Sequence, residues 1–307
     1  MADGARVLIP YDLAEEAGGE WPFGLRVDVW DGTGPAPEGD LGDVRLHVLP
    51  YGAPRAYDAL PRLTGLAVVQ SLRAGVDELL PLVPDGVTIA NGRGLHDAST
   101  AEHALGLLLA AQRELPRWVA DQAAGRWDPS FVGSLADRRV LLVGAGSIGG
   151  AIARRLEACE AVVTPVARRA RPDEGVHGVD ELDALLPDAE IVVLVLPDDP
   201  STRGTLDARR LALLPDGALV VNVGRGTAIV TAALRAELES GRLRAALDVV
   251  DPEPLPADHP LWHAPGLLLT PHVGGGSASF PPRARRLVID QLRRFAAGEP
   301  LANVVRP

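Results

Sequence analysis

Short apolar runs punctuate this chain at nearly regular intervals. RVLI (6–9), LRVDVW (25–30), VRLHVL (44–49), LAVVQ (66–70) and VTIA (87–90) come first. After a long apolar-striped segment the runs resume as RVLLVG (139–144), AVVTPVA (161–167), EIVVLVL (190–196), ALVVNV (218–223), RAALDVV (244–250) and LLLTPH (267–272). They are too continuously apolar for half-exposed strands, so the pattern predicts strands covered on both faces. Helical periodicity fills most of the gaps. Strand–helix alternation of this kind predicts parallel sheets in an α/β fold.

Two segments read as longer helices. STAEHALGLLLAAQREL starts at Ser99, with Ser99 and Glu102 spaced as a capping box. PPRARRLVIDQLRRFAAG, near the end, carries its arginines on the polar face of an amphipathic helix. The strand pattern restarts after the first of these, which predicts a second α/β domain running to about His272. The last helix is expected to pack back on the first domain.

A length of 307 residues accommodates two such domains, and 47% apolar with 23% charged residues is a globular balance. The net charge of −11 argues against nucleic acid as a partner, since a duplex-binding surface needs a basic excess. A single cysteine, Cys159, excludes an internal disulfide framework and a cysteine-rich metal site, and reads as a packing residue; no metal is expected. ALGLLLAA (104–111), the longest apolar stretch, is too short to span a bilayer, and no charged-then-apolar leader is visible. A cytoplasmic protein without a membrane partner is therefore expected.

The first chemical signal is VLLVGAGSIGGAIARRL, in which Gly144, Gly146 and Gly149 lie between an apolar strand and an apolar-striped helix. Gly144 permits the tight turn, Gly146 lets a pyrophosphate approach the backbone, and Gly149 lets helix and strand pack closely. The helix N-terminus offers free N–H groups and a positive dipole end to phosphates. The next strand ends in VARRARP (166–172), at about the distance where an NAD-preferring turn places an acidic residue on the ribose hydroxyl. No acidic residue lies between Ala161 and Arg171. A carboxylate there would repel a 2′-phosphate, whereas Arg168 and Arg169 can pair with one, so NADP is preferred over NAD. The alternative is an exposed basic turn indifferent to the cofactor.

Ligands of open parallel sheets bind beyond the carboxyl ends of the strands. Those ends carry Arg225 after ALVVNV, Asp248 with Glu253 after RAALDVV, and His272 after LLLTP, while Pro197 turns the chain after VLVL. Arginine, carboxylate and histidine suit reduction of a 2-oxo acid. Arg225 can bind the substrate carboxylate and polarise the keto oxygen. His272 can donate the proton to that oxygen, and Glu253 beside it would favour the imidazolium and fix its orientation. His47, His96, His103, His177, His259 and His263 lack this context and read as structural or surface residues.

The motifs GLHDASTAEHALGLLLA, VGAGSIGGAIARRL, VLPDDPSTRG, LLPDGALVVNVGRG, ALDVVDPEPLPADHPLW and TPHVGGGS occur in one order along the chain. Together they resemble the D-isomer-specific 2-hydroxyacid dehydrogenase family, most closely its glyoxylate/hydroxypyruvate reductase branch. The resemblance implies two Rossmann-like domains: a discontinuous, flavodoxin-like substrate domain (1–97 and 276–307) and an inserted NAD(P)-binding domain (98–275). It implies a homodimer, with the helix near Ser99 at the interface. By position, Arg225 is the substrate-orienting arginine, His272 the acid/base and Glu253 its acidic partner. Asp248 matches an aspartate near the nicotinamide carboxamide. Ser147, Ile148, Leu196, Pro197, Thr202, Val223, Gly224 and Gly274 fall on the family's cofactor-lining motifs.

In the first domain, SLRAGVDELL matches the loop that binds the substrate carboxylate through backbone amides, here those of Ala74 and Gly75. Arg73 in that loop is either an added anion contact or a solvent-facing side chain. Tyr51 follows a strand end and either reaches into the cleft or is a plain loop tyrosine. Glu253 argues against formate oxidation, which in this family takes a glutamine there. Phosphite oxidation, a phosphonate-bearing substrate and a non-catalytic NAD(P)-sensing regulator remain as alternatives.

Overall fold

The computed structural model describes residues 4–15 and 24–306. Contacts divide it into two compact units, Met1–His96 with Ala278–Pro307, and Asp97–Ser277.

The first unit opens with strands β1 (Arg6–Ile9), β2 (Arg26–Val29), β3 (Val44–Val48), β4 (Val68–Gln70) and β5 (Thr88–Ala90). The second unit begins with helices α1 (Asp97–Gln112) and α2 (Leu115–Ala123), followed by β6 (Arg139–Val143), α3 (Ser147–Ala158), β7 (Val162–Ala167) and β8 (His177–Gly178). It continues through α4 (Leu182–Leu185), β9 (Ile191–Leu194), α5 (Ala208–Leu211), β10 (Leu219–Asn222), α6 (Thr231–Glu239), β11 (Arg244–Leu247) and β12 (Leu267–Leu269). The chain then completes the first unit with α7 (Phe280–Ala297) and β13 (Val304–Arg306).

In the first unit the sheet order is β13-β5-β4-β3-β1-β2. Read from β2, its parallel strands run 2-1-3-4-5, the flavodoxin-like order. Only β13 is antiparallel, pairing with β5. One stripe of α7, Phe280, Ala284, Val288 and Leu292, packs on Val7, Ile9, Leu46 and Val48, as the amphipathic pattern requires. Two expectations change here. β2 is an edge strand with Arg26 and Val29 exposed, so it is not covered on both faces. Among the described residues, the links between β1 and β5 contain three-residue 3-10 turns (Leu60–Arg62, Leu80–Leu82) where helical pattern was expected. Pro61 and Pro81 lie within these turns, and proline supplies no N–H for a longer helix.

In the second unit the order is β12-β11-β10-β9-β6-β7-β8, all parallel. Successive strand residues enter opposite cores: Leu141, Val143, Val192, Leu194 and Val220 on one side, Val140, Leu142, Ile191, Val193 and Val221 on the other. This is why the sequence runs show no alternation. Burying each such side chain contributes about 1.5–3 kcal/mol. The order reverses between β6 and β9, the switch point at which doubly wound sheets open a crevice.

The long helix differs from its sequence reading. It begins at Asp97, so Ser99 lies inside it rather than capping it, with its hydroxyl 3.5 Å from the Gly275 carbonyl. It also breaks at Glu114, which takes a left-handed φ of 51°, and α2 restarts with Pro116 in its first turn.

Candidate active site

The glycine turn joins β6 to α3 at the switch point. Gly144 has φ of 117°, and a Cβ there would stand 2.5 Å from the Val195 carbonyl oxygen, so only glycine fits. A Cβ on Gly149 would run into the Gly144 carbonyl, which shows how closely helix and strand approach. Beside Gly146, by contrast, there is open space for a ligand. The first helical hydrogen bond is made by the Gly150 amide to Gly146, so the N–H groups of Ser147, Ile148 and Gly149 precede the ladder. The Ser147 hydroxyl donates to the Asp97 carboxylate, a contact the sequence did not suggest.

A cleft of about 710 Å³ opens over this turn, lined by Gly144, Gly146, Arg168, Arg169, Leu196 and Thr202 among others. Leu196 and Pro197 follow β9, and the Thr202 hydroxyl donates to the Pro197 carbonyl at 2.7 Å, folding the segment back on itself. The three arginines of the basic loop behave differently. Arg171 donates to the Ala145 carbonyl at 3.1 Å and to Glu174 at 2.7 Å. Arg168 stands 3.7 Å from Asp199, and Arg169 has no ion-pair partner among the described residues. Donor-bearing turn, absent Cβ and cationic rim together fit a dinucleotide.

The strand-end residues leave one edge of the sheet on neighbouring strands. Asn222 of β10 is level with Leu247 of β11, and Leu247 with Leu269 of β12. Val223 and Gly224 follow β10 directly, with the Gly224 amide donating to Asn222 Oδ1 at 3.0 Å. Arg225 comes next in extended conformation, its carbonyl held by Asn222 Nδ2 at 2.9 Å. Its guanidinium bonds only the Gly224 carbonyl, at 2.8 Å, and no carboxylate lies within ion-pair distance among the described residues. Nearby Asp198, held below the usual carboxylate range chiefly by Arg203, also feels the Arg225 charge.

His272 Nδ1 is paired with Glu253 Oε1. Both side chains are partly exposed, and His272 Nε2 makes no hydrogen bond among the described residues. His272 adopts a left-handed φ of 52°, an uncommon conformation for a non-glycine residue. Asp248 accounts for that geometry. Its carbonyl accepts the His272 amide at 2.8 Å, and its carboxylate accepts the amides of Val273 at 2.9 Å and Gly274 at 2.8 Å. The Asp248 side chain is only 2% exposed and also takes the Thr270 hydroxyl at 2.6 Å. His103, read from sequence as structural or surface, lies 3.1 Å from Asp248 Oδ1. Nothing in the AEHALG pattern signals it, because its partners lie far along the chain.

In the first unit the 71–76 loop is shaped by its carbonyls. Asn91 Nδ2 donates to Ala74 O and the Gly92 amide to Arg73 O, each at 2.7 Å. The amides of Ala74 and Gly75 have no partner among the described residues, and successive free amides form an anion-binding concavity. Arg73 pairs loosely with Glu78 at 3.3 Å and is half exposed. The Tyr51 ring lies 4.2 Å from Phe280 and 5.3 Å from His96, so it is packed on one face. Tyr51, Ser71 and Arg73 line one small pocket of about 40 Å³.

Residues 105–274 match the family described as D-isomer specific 2-hydroxyacid dehydrogenase, NAD binding domain. A D-isomer specific 2-hydroxyacid dehydrogenase of Xanthobacter autotrophicus Py2, in complex with NADPH and MES, is 34% identical with a TM-score of 0.82, over 100% of this chain and 99% of that one. The NADPH-dependent glyoxylate/hydroxypyruvate reductase of Sinorhizobium meliloti in complex with NADP and sulfate is 31% identical with a TM-score of 0.81, over 98% of each chain. D-3-phosphoglycerate dehydrogenase of Methanocaldococcus jannaschii is 30% identical over 274 residues, 86% of this chain and 52% of that enzyme, so the chain spans about half its length.

Proposed function

The chain belongs to the D-isomer specific 2-hydroxyacid dehydrogenase family of NAD(P)-dependent oxidoreductases, and we propose that it uses NADPH to reduce a small 2-oxo acid of the glyoxylate or hydroxypyruvate kind to the D-2-hydroxy acid. The observation that carries this reading is the His272–Glu253 pair, whose Nε2 has no hydrogen-bond partner among the described residues, two strands away from an Arg225 that has no carboxylate partner among them. Two neighbours with 34% and 31% identity were crystallised with NADPH or NADP, which supports the cofactor assignment.

The bound dihydronicotinamide supplies the hydride. The chain supplies the rest. Arg225 pairs with the substrate carboxylate and draws charge onto the keto oxygen. As C2 accepts the hydride, its oxygen accepts the proton from His272 Nε2, leaving a hydroxyl. Glu253 holds Nδ1 so that Nε2 faces the substrate. In the first unit the Ala74 and Gly75 amides are the candidate carboxylate-binding pair, with Arg73 and Tyr51 as candidate neighbours. Arg168 and Arg169 take the 2′-phosphate, while Ser147, Ile148, Gly149, Leu196, Thr202, Val223, Gly224 and Gly274 line the cofactor.

A homodimer is part of the same proposal. Trp127 and Phe131, just beyond α2, are 95% and 107% exposed, an apolar surface suited to a second copy. Light scattering should give twice the chain mass, and a monomer would end that part of the reading. The activity is tested by NADPH absorbance loss with glyoxylate, hydroxypyruvate, phosphonopyruvate and longer 2-oxo acids, and with phosphite in the oxidative direction. Turnover of a small 2-oxo acid is expected. Tight NADPH binding without turnover of any substrate would replace the enzyme with a sensor.

A further inference from the structure

We infer that His103 is a positioning residue for the reaction: through Asp248 it holds the backbone segment that presents His272. The inference rests on the reading of His272 as the acid/base. His103 lies in α1, far in sequence from the strand ends, and its imidazole reaches between two of them. Nε2 stands 2.9 Å from Thr270 Oγ1 and 3.1 Å from Asp248 Oδ1. An ionised carboxylate only accepts, so this nitrogen carries the hydrogen. The Thr270 hydroxyl donates to the same Oδ1 at 2.6 Å, and its oxygen receives the shared imidazole N–H.

Asp248 is a buried carboxylate with no arginine partner among the described residues. Among the described residues its sole ion-pair partner is His103. Its hydrogen-bond donors are the Thr270 hydroxyl, itself held by His103 Nε2, and the amides of Val273 and Gly274. A buried carboxylate that loses a donor turns or relaxes to recover it, and the groups it was holding move with it. What Asp248 holds is the left-handed turn at His272, through its carbonyl to the His272 amide and its carboxylate to the next two amides. Helix and loop also approach closely at Gly274. A Cβ on Gly274 would come 2.9 Å from Asp248 Oδ2 and 3.4 Å from the His103 ring. His103 therefore ties a rigid helix to a strained turn whose position decides where Nε2 of His272 points.

The test compares His103→Leu and His103→Gln with the wild-type chain, using glyoxylate and NADPH kinetics, NADPH binding by fluorescence, and amide hydrogen exchange across residues 270–277. The Leu side chain removes the donor, and the Gln amide retains one within reach of Asp248. Should the Leu variant not fold, His103→Asn, whose amide is too short to reach, takes its place in the same contrast. Loss of the hydrogen bond to Thr270 and of the pairing with Asp248 should lower kcat about 10- to 100-fold in the Leu variant, with KM and NADPH binding changed much less than kcat, since neither ligand touches His103 itself. Exchange should quicken at 272–274 alone, and the Gln variant should recover most of both effects. Wild-type kcat and exchange in the Leu variant would overturn the inference. So would equal losses in both variants with exchange raised throughout the unit, which marks a merely structural role. If the wild-type chain reduces no 2-oxo acid, the reductase reading fails by itself, and the exchange contrast still decides what His103 holds.

Discussion

Arg168, on the rim of the cleft over the glycine turn, and Asp199 face each other at 3.7 Å, the arginine exposed and the carboxylate half-buried. The pairing is loose, because Asp199 is already engaged by Ser201, whose hydrogen bonds hold its carboxyl below the usual range. Arg168 and the unpaired Arg169 thus remain available to an anion. Replacing both by alanine should weaken NADPH about 10- to 100-fold, the loss of charge-assisted hydrogen bonds, and leave NADH within about 3-fold. Fluorescence titration of both cofactors decides the matter. Equal weakening of the two, or no effect on either, would remove the NADP preference and leave the dehydrogenase. Asp199→Asn should tighten NADPH slightly.

His272→Ala should lower kcat by about 100- to 10,000-fold, the usual contribution of a positioned acid, with NADPH binding unchanged. Glu253→Gln keeps a neutral partner at Nδ1 and should cost less, on the order of 10-fold. Steady-state kinetics on both variants separates the roles. A Glu253 variant as impaired as the His272 variant would show that orientation by a neutral acceptor is not enough.

Arg225→Lys tests geometry at constant charge. An ammonium cannot reproduce the planar fork that meets a carboxylate and a keto oxygen together, so kcat/KM should fall on the order of 100-fold. The Arg225 guanidinium makes one hydrogen bond within the chain, to the adjacent carbonyl, so thermal stability should change little. A large drop in melting temperature would mean that the arginine serves the fold instead.

His47 gives a prediction about stability. It is fully buried, its Nδ1 donates to the Leu8 carbonyl at 3.0 Å, and Nε2 has no partner among the described residues. Burial pushes its pKa down from 6.5 to about 4. Between those values the unfolded chain binds a proton that the folded chain refuses, so stability falls as the pH drops from about 6.5 towards 4. The shift corresponds to about 3 kcal/mol. Urea unfolding of wild type and His47→Asn at pH 7.5 and 4.5 measures it. The Asn variant should lose less stability between the two, and parallel losses would assign the acid sensitivity to other groups.

Much of the second unit was legible because its strands are buried on two faces and its candidate site residues closely follow them. A run such as EIVVLVL needs no partner to be recognised, and Gly144, Arg225 and His272 are found by asking what comes after each run. Other features depend on neighbours distant in sequence. β2 reads like its interior neighbours, yet it ends the sheet and leaves Val29 exposed. His103 meets Thr270 and Asp248 only after the sheet is assembled. The break at Glu114 was hidden because the leucine pattern runs on towards Leu115, and only the left-handed backbone before Pro116 ends the helix.

Arg171 gives the basic loop a division of labour. By binding Ala145 and Glu174 it staples the loop to the glycine turn, a task in which Arg168 and Arg169 take no part. With the proposed 2′-phosphate contacts on Arg168 and Arg169, scaffold and specificity would be separable within four residues, and redirecting the protein to the other dinucleotide would mean rewriting two side chains while Arg171 keeps the loop in place.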